Sequence, residues 1–227
     1  MTVHGAASLI RVRFRMRFSI ALAVALLPLA ACAADRPPGA ASPKAMRQAS
    51  WQEQINESDR KRLAGLWSGW TRSLAEASAA GHQDAIAGLG DLLAPDAARP
   101  GPPPAPGAYR CRTVKLGART DGGRAAPTAM DVGDFAPCTI AAKGSLSWFE
   151  QAGGMQRIGG TLYPDGDRLV FLGSKALKGE MGVMAYGSDA SRDQVGVLRS
   201  IGEARWRLEL PWPMWQSNLE IIEIRPA

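Results

Sequence analysis

Histidine and cysteine are scarce in this sequence, which limits the chemistry that the chain can perform. Its 227 residues include two histidines and three cysteines. There is no C-x-x-C pair, and His82 is the one histidine outside the N-terminal region that could help a cysteine bind zinc. The G-x-S-x-G motif of many serine hydrolases is also missing. The sequence therefore predicts no metal and no cofactor, and it identifies no nucleophile.

A long apolar run is missing as well. The apolar stretch Phe18–Leu29 has twelve residues and no charge, whereas a membrane-spanning helix needs about 20. No acidic residue precedes Asp35, and four arginines precede the apolar stretch: Arg11, Arg13, Arg15 and Arg17. A basic segment followed by a short apolar one is typical of a secretory signal peptide. We predict a signal peptide over residues 1–31, with either Met1 or Met16 as its start.

The end of that stretch, Leu29-Ala30-Ala31-Cys32, resembles the lipobox of bacterial lipoproteins. In such proteins the cysteine sulfur carries a diacylglyceryl group and the signal is cut just before it. We therefore expect a lipid on Cys32 and contact with the membrane through that lipid. Ala33 in the second mature position favours the periplasmic face of the outer membrane. Ordinary secretion into the periplasm and a retained anchor are the alternatives.

A clustered excess of basic residues is also lacking after Cys32. Four of the 27 Lys and Arg residues precede Cys32, whereas all 21 Asp and Glu residues follow it, which leaves a net charge of +2. A nucleic-acid interface needs a basic face, so no nucleic-acid partner is expected. If Cys32 is lipidated, Cys111 and Cys138 are left as a pair. In an oxidising compartment, an even number of remaining cysteines predicts a disulfide. Two free thiols are the alternative.

The composition and the hydrophobic period divide the chain into segments. Residues 32–50 are a flexible tether rich in Pro, Gly and Ala. Residues 51–95 have apolar positions at helical spacing and predict a two-helix hairpin, with Asn56 or Ser58 at its start and a stop at Gly81 between the helices. Residues 96–106 are a proline-rich hinge.

Residues 107–227 change to a period of two, which is typical of strands. Nine runs are candidate strands: 107–117, 138–144, 145–151, 155–163, 168–174, 181–187, 194–202, 204–211 and 218–226. Asp165-Gly166 between two of them is a strong hairpin signal. The fold class is therefore α+β, with the helical hairpin packed on an antiparallel β-barrel-like or sandwich domain of about eight strands.

Several motifs together resemble a bacterial family of unknown function, DUF4893, over about residues 51–225. They are Asp59-Arg60-x-Arg62-Leu63, PGAYRCRTVKLG, GGMQRIGGTLYPDGDRLVFLGS, VGVLRSIG and WRLELPWP. The resemblance implies a small exported envelope protein and no catalytic activity. It also implies that an acidic residue is more common where this chain has Gln216.

Four residues are candidates for ligand binding. Arg110 and Arg112 share one face of a strand, and they would bind an anion if that face lined a barrel; a solvated face is the alternative. Trp212 and Trp215 lie in a proline-bounded loop, where an exposed ring could stack on a glycan or meet lipid, and core packing is the alternative.

Other polar groups have simpler interpretations. Asp165-Gly166-Asp167 lacks the further oxygens of a calcium loop and is interpreted as a hairpin turn. Asp131 and Asp134 are expected in a solvated loop. His82 and Asp84 could belong to a hydrolase, but a helix cap or a loop is the favoured interpretation of His82.

The sequence therefore favours a non-enzymatic lipoprotein whose β domain binds an envelope protein, lipid or glycan. The alternatives are a periplasmic hydrolase and a structural module of envelope assembly.

Overall fold

A computed structural model of the protein describes residues 50–119 and 128–227. The predicted signal peptide, Cys32 and nearly all of the tether lie outside these residues. The α-helices are α1 (Trp51–Gln54), α2 (Glu57–Ala64), α3 (Leu66–Ala79) and α4 (Gln83–Leu89), followed by single 3-10 turns at Gly90–Leu92 and Pro95–Ala97. The strands are β1 (Gly107–Leu116), β2 (Met130–Val132), β3 (Ala136–Lys143), β4 (Leu146–Gln151), β5 (Gln156–Asp165), β6 (Arg168–Leu177), β7 (Asp193–Gly202), β8 (Arg205–Pro211) and β9 (Leu219–Pro226).

The helical region starts where the sequence predicts, but its first long helix is interrupted. Asn56 caps α2, since its side-chain oxygen accepts the Asp59 N–H at 2.8 Å. Gly65 separates α2 from α3, and its carbonyl accepts a hydrogen bond from the Trp212 indole N–H at 3.0 Å. A side chain at Gly65 would bring its Cβ within 2.8 Å of that indole nitrogen. The close approach of the indole therefore requires a glycine between α2 and α3.

Eight strands form a closed antiparallel barrel, which confirms the barrel among the predicted β architectures. From β3 to β9 each strand pairs with the next, and β1 pairs with both β3 and β9. The β1–β9 pairing, which joins the ends of the β region, runs from Tyr109↔Pro226 to Leu116↔Leu219. Closure leaves no long free edge that could pair with another chain.

The short strand β2 was not predicted and continues the line of β3. It pairs with the second half of β1, whereas β3 pairs with the first half. Residues 133–135 lie between them, and Gly133 N–H donates to the Thr113 carbonyl at 2.9 Å. Three residues here oppose two on β1, which is the arrangement of a β-bulge.

The barrel interior is apolar over most of its length. Every barrel strand contributes to one buried cluster, formed by Tyr109, Cys111, Cys138, Ile140, Phe149, Ile158, Leu162, Phe171, Leu198, Trp206, Leu208, Leu210, Ile222 and Ile224. Gly160 and Gly173 face each other across β5 and β6, where a Cβ on Gly160 would lie 2.4 Å from the Gly173 Cα. The two glycines bring the strands together while the Phe171 ring fills the interior beside them.

The helices cover part of the outer wall of the barrel. Trp70, Leu92 and neighbouring residues of α3 and the first 3-10 turn pack on Val114, Leu116 and Ile221. Ile55 packs on the outer faces of β6 and β7. Trp67 on α3 is one of the apolar residues at helical spacing, but it does not join this packing, because its side chain is 65% exposed. No helix in the described part of the chain is both long and apolar enough to span a bilayer.

A polar network attaches α2 to β7. The Asp59 carboxylate accepts hydrogen bonds from Tyr186 Oη at 2.6 Å and from Arg62 Nη1 at 2.6 Å. Arg62 Nη1 also donates to the backbone carbonyl of Asp193, the first residue of β7. Asp59 and Arg62 belong to the family motif, so these two residues of the motif have a clear structural role.

The prediction of a strand over 181–187 is wrong. These residues belong to the loop that connects β6 to β7. It does not pair with a neighbouring strand, because β6 pairs directly with β7. Tyr186 instead contacts α2, and Gly187 N–H donates to the Asp193 carboxylate at 2.9 Å.

The proline-rich segment lies across one end of the barrel. The Trp206 indole donates to the Pro102 carbonyl at 3.0 Å, and the Tyr109 hydroxyl donates to the Ala105 carbonyl at 2.6 Å. Pro104 is buried. Since this segment covers the end where β1 begins, the opposite end of the barrel is the one left open.

Candidate functional site

A cavity of about 400 Å³ occupies the open end of the barrel. We call it the barrel mouth. Eight of its eleven lining residues are polar or charged, in contrast to the apolar interior below it, although their aliphatic parts also line the cavity. The lining comprises Thr113, Lys115, Asp131, Gly133, Gln151, Met155, Gln156, Ile158, Lys175, Gln216 and Glu220. These residues come from six strands and three loops, so the cavity exists only because the barrel closes.

A buried ion pair joins two strands of the mouth. Lys175 Nζ lies 3.0 and 3.3 Å from the two carboxylate oxygens of Glu220, and both side chains are almost fully buried. Burying two charges costs free energy that their mutual attraction often fails to recover, and apolar residues of similar volume are frequently as stable. The pair is therefore poorly explained by stability alone.

Lys115 is the second cation of the mouth. Its Nζ donates to Gln156 Oε1 at 3.0 Å and to Gln216 Oε1 at 2.5 Å. Burial lowers the pKa of the Lys115 ammonium, and the nearby charge of Lys175 lowers it further, although Glu220 opposes both effects. Lys115 donates its hydrogen bonds to two neutral amides, and the Asp131 carboxylate opposite it on β2 favours its charged form and so raises its pKa.

Trp215 lies at the edge of the mouth. Its ring centroid is 5.9 Å from Lys175 Nζ and 6.0 Å from the Arg192 guanidinium carbon, distances at which a cation interacts with the ring face. The side chain is half-buried. Trp215 and Gln216 together place the loop after β8 against the cavity.

The same loop holds Trp212 on a different surface. Trp212 has φ 50° and Gln216 has φ 71°, in the left-handed region that side chains rarely adopt. The Trp212 backbone N–H donates to the Asn218 carbonyl at 2.7 Å, and its indole N–H donates to Gly65. Trp212 therefore packs against α2 and α3, away from Trp215.

Arg110 and Arg112 lie on the outer wall of the barrel, because the alternation of β1 directs Tyr109 and Cys111 inward. Arg110 is exposed, and both guanidinium groups lie over the Phe135 ring, at 5.7 and 4.8 Å from its centroid. Arg112 also pairs with the buried Glu223 carboxylate at 2.7 Å. The solvated-face alternative therefore describes Arg110, and Arg112 is partly covered.

Three arginines surround the Glu223 carboxylate on this outer wall. Burial by itself raises its pKa, but hydrogen bonds from Arg205, Arg112 and Arg225 outweigh burial and hold the pKa below its usual value. Three guanidinium groups thus share one carboxylate on the outside of the barrel.

Cys111 and Cys138 form a disulfide on adjacent strands, with a Cα–Cα distance of 5.9 Å. Both residues belong to the buried interior cluster. The predicted pairing is confirmed, and it links β1 to β3 below the mouth.

The remaining polar candidates do not converge on one place. His82 is the residue before α4 and makes no side-chain capping bond to it, and Asp84 is exposed in the first turn of α4. The Asp165 carboxylate accepts hydrogen bonds from Arg168 and from the Trp51 indole, as expected of a turn. Asp134 is exposed in the bulge, as expected of a solvated loop, whereas the same expectation is wrong for Asp131, which lies on β2 and lines the mouth. Within residues 50–119 and 128–227, no group of three or more His, Cys, Asp and Glu side chains could hold a metal.

Sequence reasoning missed the residues that line the mouth. Lys115 and Lys175 lie in alternating strands, where a charged residue is normally taken as solvent-facing, and Glu220 lies in an apolar run. The sequence did contain one signal, because alternate residues of a strand point to the same face. Lys115 shares its face with Tyr109 and Cys111, whereas Arg110 and Arg112 lie on the other face. Of the four predicted ligand residues, Trp215 alone lies at the mouth.

Comparison with known proteins identifies the domain. No curated protein and no solved structure matches the chain significantly. One family model, described as a domain of unknown function (DUF4893), matches residues 51–224. That span includes the helices and the barrel with its mouth, and the chain therefore belongs to the DUF4893 family.

Proposed function

We propose that this protein is an envelope lipoprotein whose barrel binds a carboxylated glycan fragment in its open end without transforming it. The observation that carries the proposal is the barrel mouth, a polar cavity with two lysines at the end of an otherwise apolar barrel. A lipid on Cys32 would hold the domain at the periplasmic face of the outer membrane, with the tether between them.

The polar residues of the lining support a binding function, because placing them there lowers the stability of the protein unless they serve a ligand. Polar groups withdrawn from water reduce stability unless they are hydrogen-bonded. The neighbouring interior shows that the same strands accommodate Phe149, Phe171 and Ile222. The mouth has Lys, Glu, Gln and Thr side chains where apolar ones would fit, and this supports the proposal that the cavity binds a ligand.

The lining also supports a particular ligand chemistry. The lining has two lysines and two carboxylates. Glu220 hydrogen-bonds directly to Lys175, whereas the hydrogen bonds of Lys115 go to neutral amides, so Lys115 is the cation that a ligand carboxylate could contact in exchange for those amides. Gln151 and Gln156 offer amide donors and acceptors for hydroxyl groups. The Trp215 ring at the edge is suited to stack on a sugar face.

A matched pair of ligands tests the charge requirement. N-acetylmuramic acid and N-acetylglucosamine differ by a lactyl group with its carboxylate, so titration calorimetry with both isolates the contribution of Lys115. We expect the acid to bind more tightly by about tenfold, the magnitude of one hydrogen bond to a charged group. Equal affinity of the two sugars, or no binding of either, would contradict the proposal.

Variants of the mouth provide the second part of the test. Lys115→Met should weaken binding of the acid and leave the neutral sugar unchanged. Gln216→Glu should have the same effect, because the new carboxylate would pair with Lys115. Trp215→Ala should weaken both sugars, whereas Arg110→Gln on the outer wall serves as the control and should weaken neither.

The hydrolase and the structural module are the alternatives to this proposal. Turnover of an ester, peptide or glycan by the purified protein, abolished by His82→Ala, would replace binding with hydrolysis. A binding role predicts no effect of His82→Ala on ligand affinity.

A further inference from the structure

The loop after β8, residues 212–218, has a fixed base and a tip that reaches the barrel mouth. The Trp212 N–H donates to the Asn218 carbonyl at 2.7 Å, which closes the base of the loop. The Trp212 indole also donates to the helical region, so the base is fastened to the helices. The tip is formed by Trp215 and Gln216, which are the residues of this loop that meet the mouth.

The backbone of the tip is strained at Gln216. This residue has φ 71°, and the Ser217 N–H donates to the Trp215 carbonyl at 2.9 Å, two residues back. A hydrogen bond over three residues with a positive φ at the central one belongs to the γ-turn that proteins rarely adopt, because it is strained. Such a conformation persists only where the surrounding structure holds it.

Hydrogen bonds from two residues hold Gln216 in this turn. Its side-chain Oε1 accepts from Lys115 Nζ at 2.5 Å, and its backbone carbonyl accepts from the Arg119 N–H at 3.2 Å. The first bond is short and has a charged donor, which makes it roughly twice as strong as a neutral one. The Trp215 ring lies 5.9 and 6.0 Å from its two cations, near the limit of their attraction. Lys115 is therefore the main support of the strained turn.

Gln216 is the more easily displaced of the two amide partners of Lys115. The other partner, Gln156, lies on β5, where it pairs with Leu177 of β6 and is half-buried. Gln216 lies in a loop and is exposed to solvent. A ligand that enters the mouth from solvent therefore meets Gln216 before it meets Gln156.

We propose that Gln216 is an internal competitor that decides which ligands gain access to Lys115. Its amide oxygen occupies the position on Lys115 that the ligand carboxylate takes. A neutral carbonyl gains nothing by replacing another neutral carbonyl, whereas a carboxylate forms a stronger bond to the ammonium, and its binding also lets the strained turn relax. This inference rests on the proposed binding function of the mouth and adds the residue that sets its selectivity.

Amide hydrogen exchange of the purified full chain tests the support of the turn without a ligand. Lys115→Met removes the cation that holds Gln216, so exchange of the Ser217 N–H, followed by NMR, should accelerate by about tenfold, as for the loss of one charged hydrogen bond. Lys143→Met removes a lysine outside the mouth and should leave this exchange unchanged. Unchanged exchange in Lys115→Met would overturn the inference.

Gln216→Asn tests the competition for Lys115. Asparagine keeps an amide and tolerates the left-handed backbone, but its side chain is one methylene shorter and does not reach Lys115. Calorimetry should show that N-acetylmuramic acid binds about tenfold more tightly to this variant, whereas Gln52→Asn, the same change on α1, should leave the affinity unchanged. Gln216→Glu strengthens the competitor, so the two variants at Gln216 should shift the affinity in opposite directions. Weaker or equal binding to Gln216→Asn would overturn the inference.

The same measurements separate this inference from the choice of ligand. If N-acetylmuramic acid binds the parent protein, it should accelerate exchange of the Ser217 N–H, because it displaces Gln216. Binding without that acceleration would overturn the inference and leave the proposed function intact. If neither sugar binds but Lys115→Met frees the Ser217 N–H, the proposed glycan is overturned and the support of Gln216 by Lys115 is retained.

Discussion

Arg207 is the side chain whose loss should most damage the attachment of the helical region to the barrel. It lies on the outer face of β8, is fully buried, and its guanidinium carbon is 4.7 Å from the Trp70 ring centroid. It also pairs with the buried Glu209 at 2.9 Å. The guanidinium donates to four backbone carbonyls at the end of the helical region, those of Asp91, Leu92, Ala94 and Pro95.

The substitution Arg207→Met keeps most of the volume and removes the charge and all the donors. Glu209 then keeps its hydrogen bond from the Trp70 indole and loses its cation. Removing one partner of a buried ion pair costs about 3–5 kcal/mol. For a protein of this size we expect a fall in the melting temperature of roughly 10 °C, at about 2–4 °C per kcal/mol.

Urea unfolding followed by circular dichroism measures this loss directly. Arg110→Met is the control, because Arg110 is exposed, and it should change the free energy of unfolding by about 0.5 kcal/mol or less. Adding Glu209→Leu to Arg207→Met should recover part of the loss, since no unpaired carboxylate remains buried. A loss below about 1 kcal/mol for Arg207→Met, or a double variant less stable than the single one, would refute the reasoning.

Three further predictions concern the covalent state and pH. Replacing Cys111 and Cys138 by serine should lower the free energy of unfolding by about 3.5 kcal/mol, the entropy of the opened loop; two alkylatable thiols in freshly isolated protein would contradict the linkage. Cys32→Ser should move the protein from the membrane to the soluble fraction, and unchanged fractionation would contradict lipidation. Burial raises the pKa of the Asp193 carboxyl, so its stabilising effect is present in acid and is lost as the pH rises through the folded pKa. Asp193→Asn should therefore lose less stability than the parent between acid and neutral pH in urea titrations; equal losses would contradict it.

The sequence by itself determined the local structure. Alternation with a period of two depends on neighbouring residues alone, and it located eight of the strands and the Asp165-Gly166 turn. The Asn56 cap and the stop at Gly81, which has φ 90°, are likewise set by interactions within one helical turn. The cysteine count predicted the pairing of Cys111 with Cys138, because these are the two cysteines that follow Cys32.

The tertiary structure alone decided which faces are buried and where the cavities lie. Alternation separates the two faces of β1 but does not say which one is inside, and that depends on the β1–β9 pairing between strands far apart in sequence. Lys115 therefore lies inside and Arg110 outside, although both are basic residues of one strand. The run 181–187 has strand-like residues, yet β6 and β7 pair directly and leave it in a loop. The barrel mouth is built by residues from distant segments, because only the closed barrel brings their charges together.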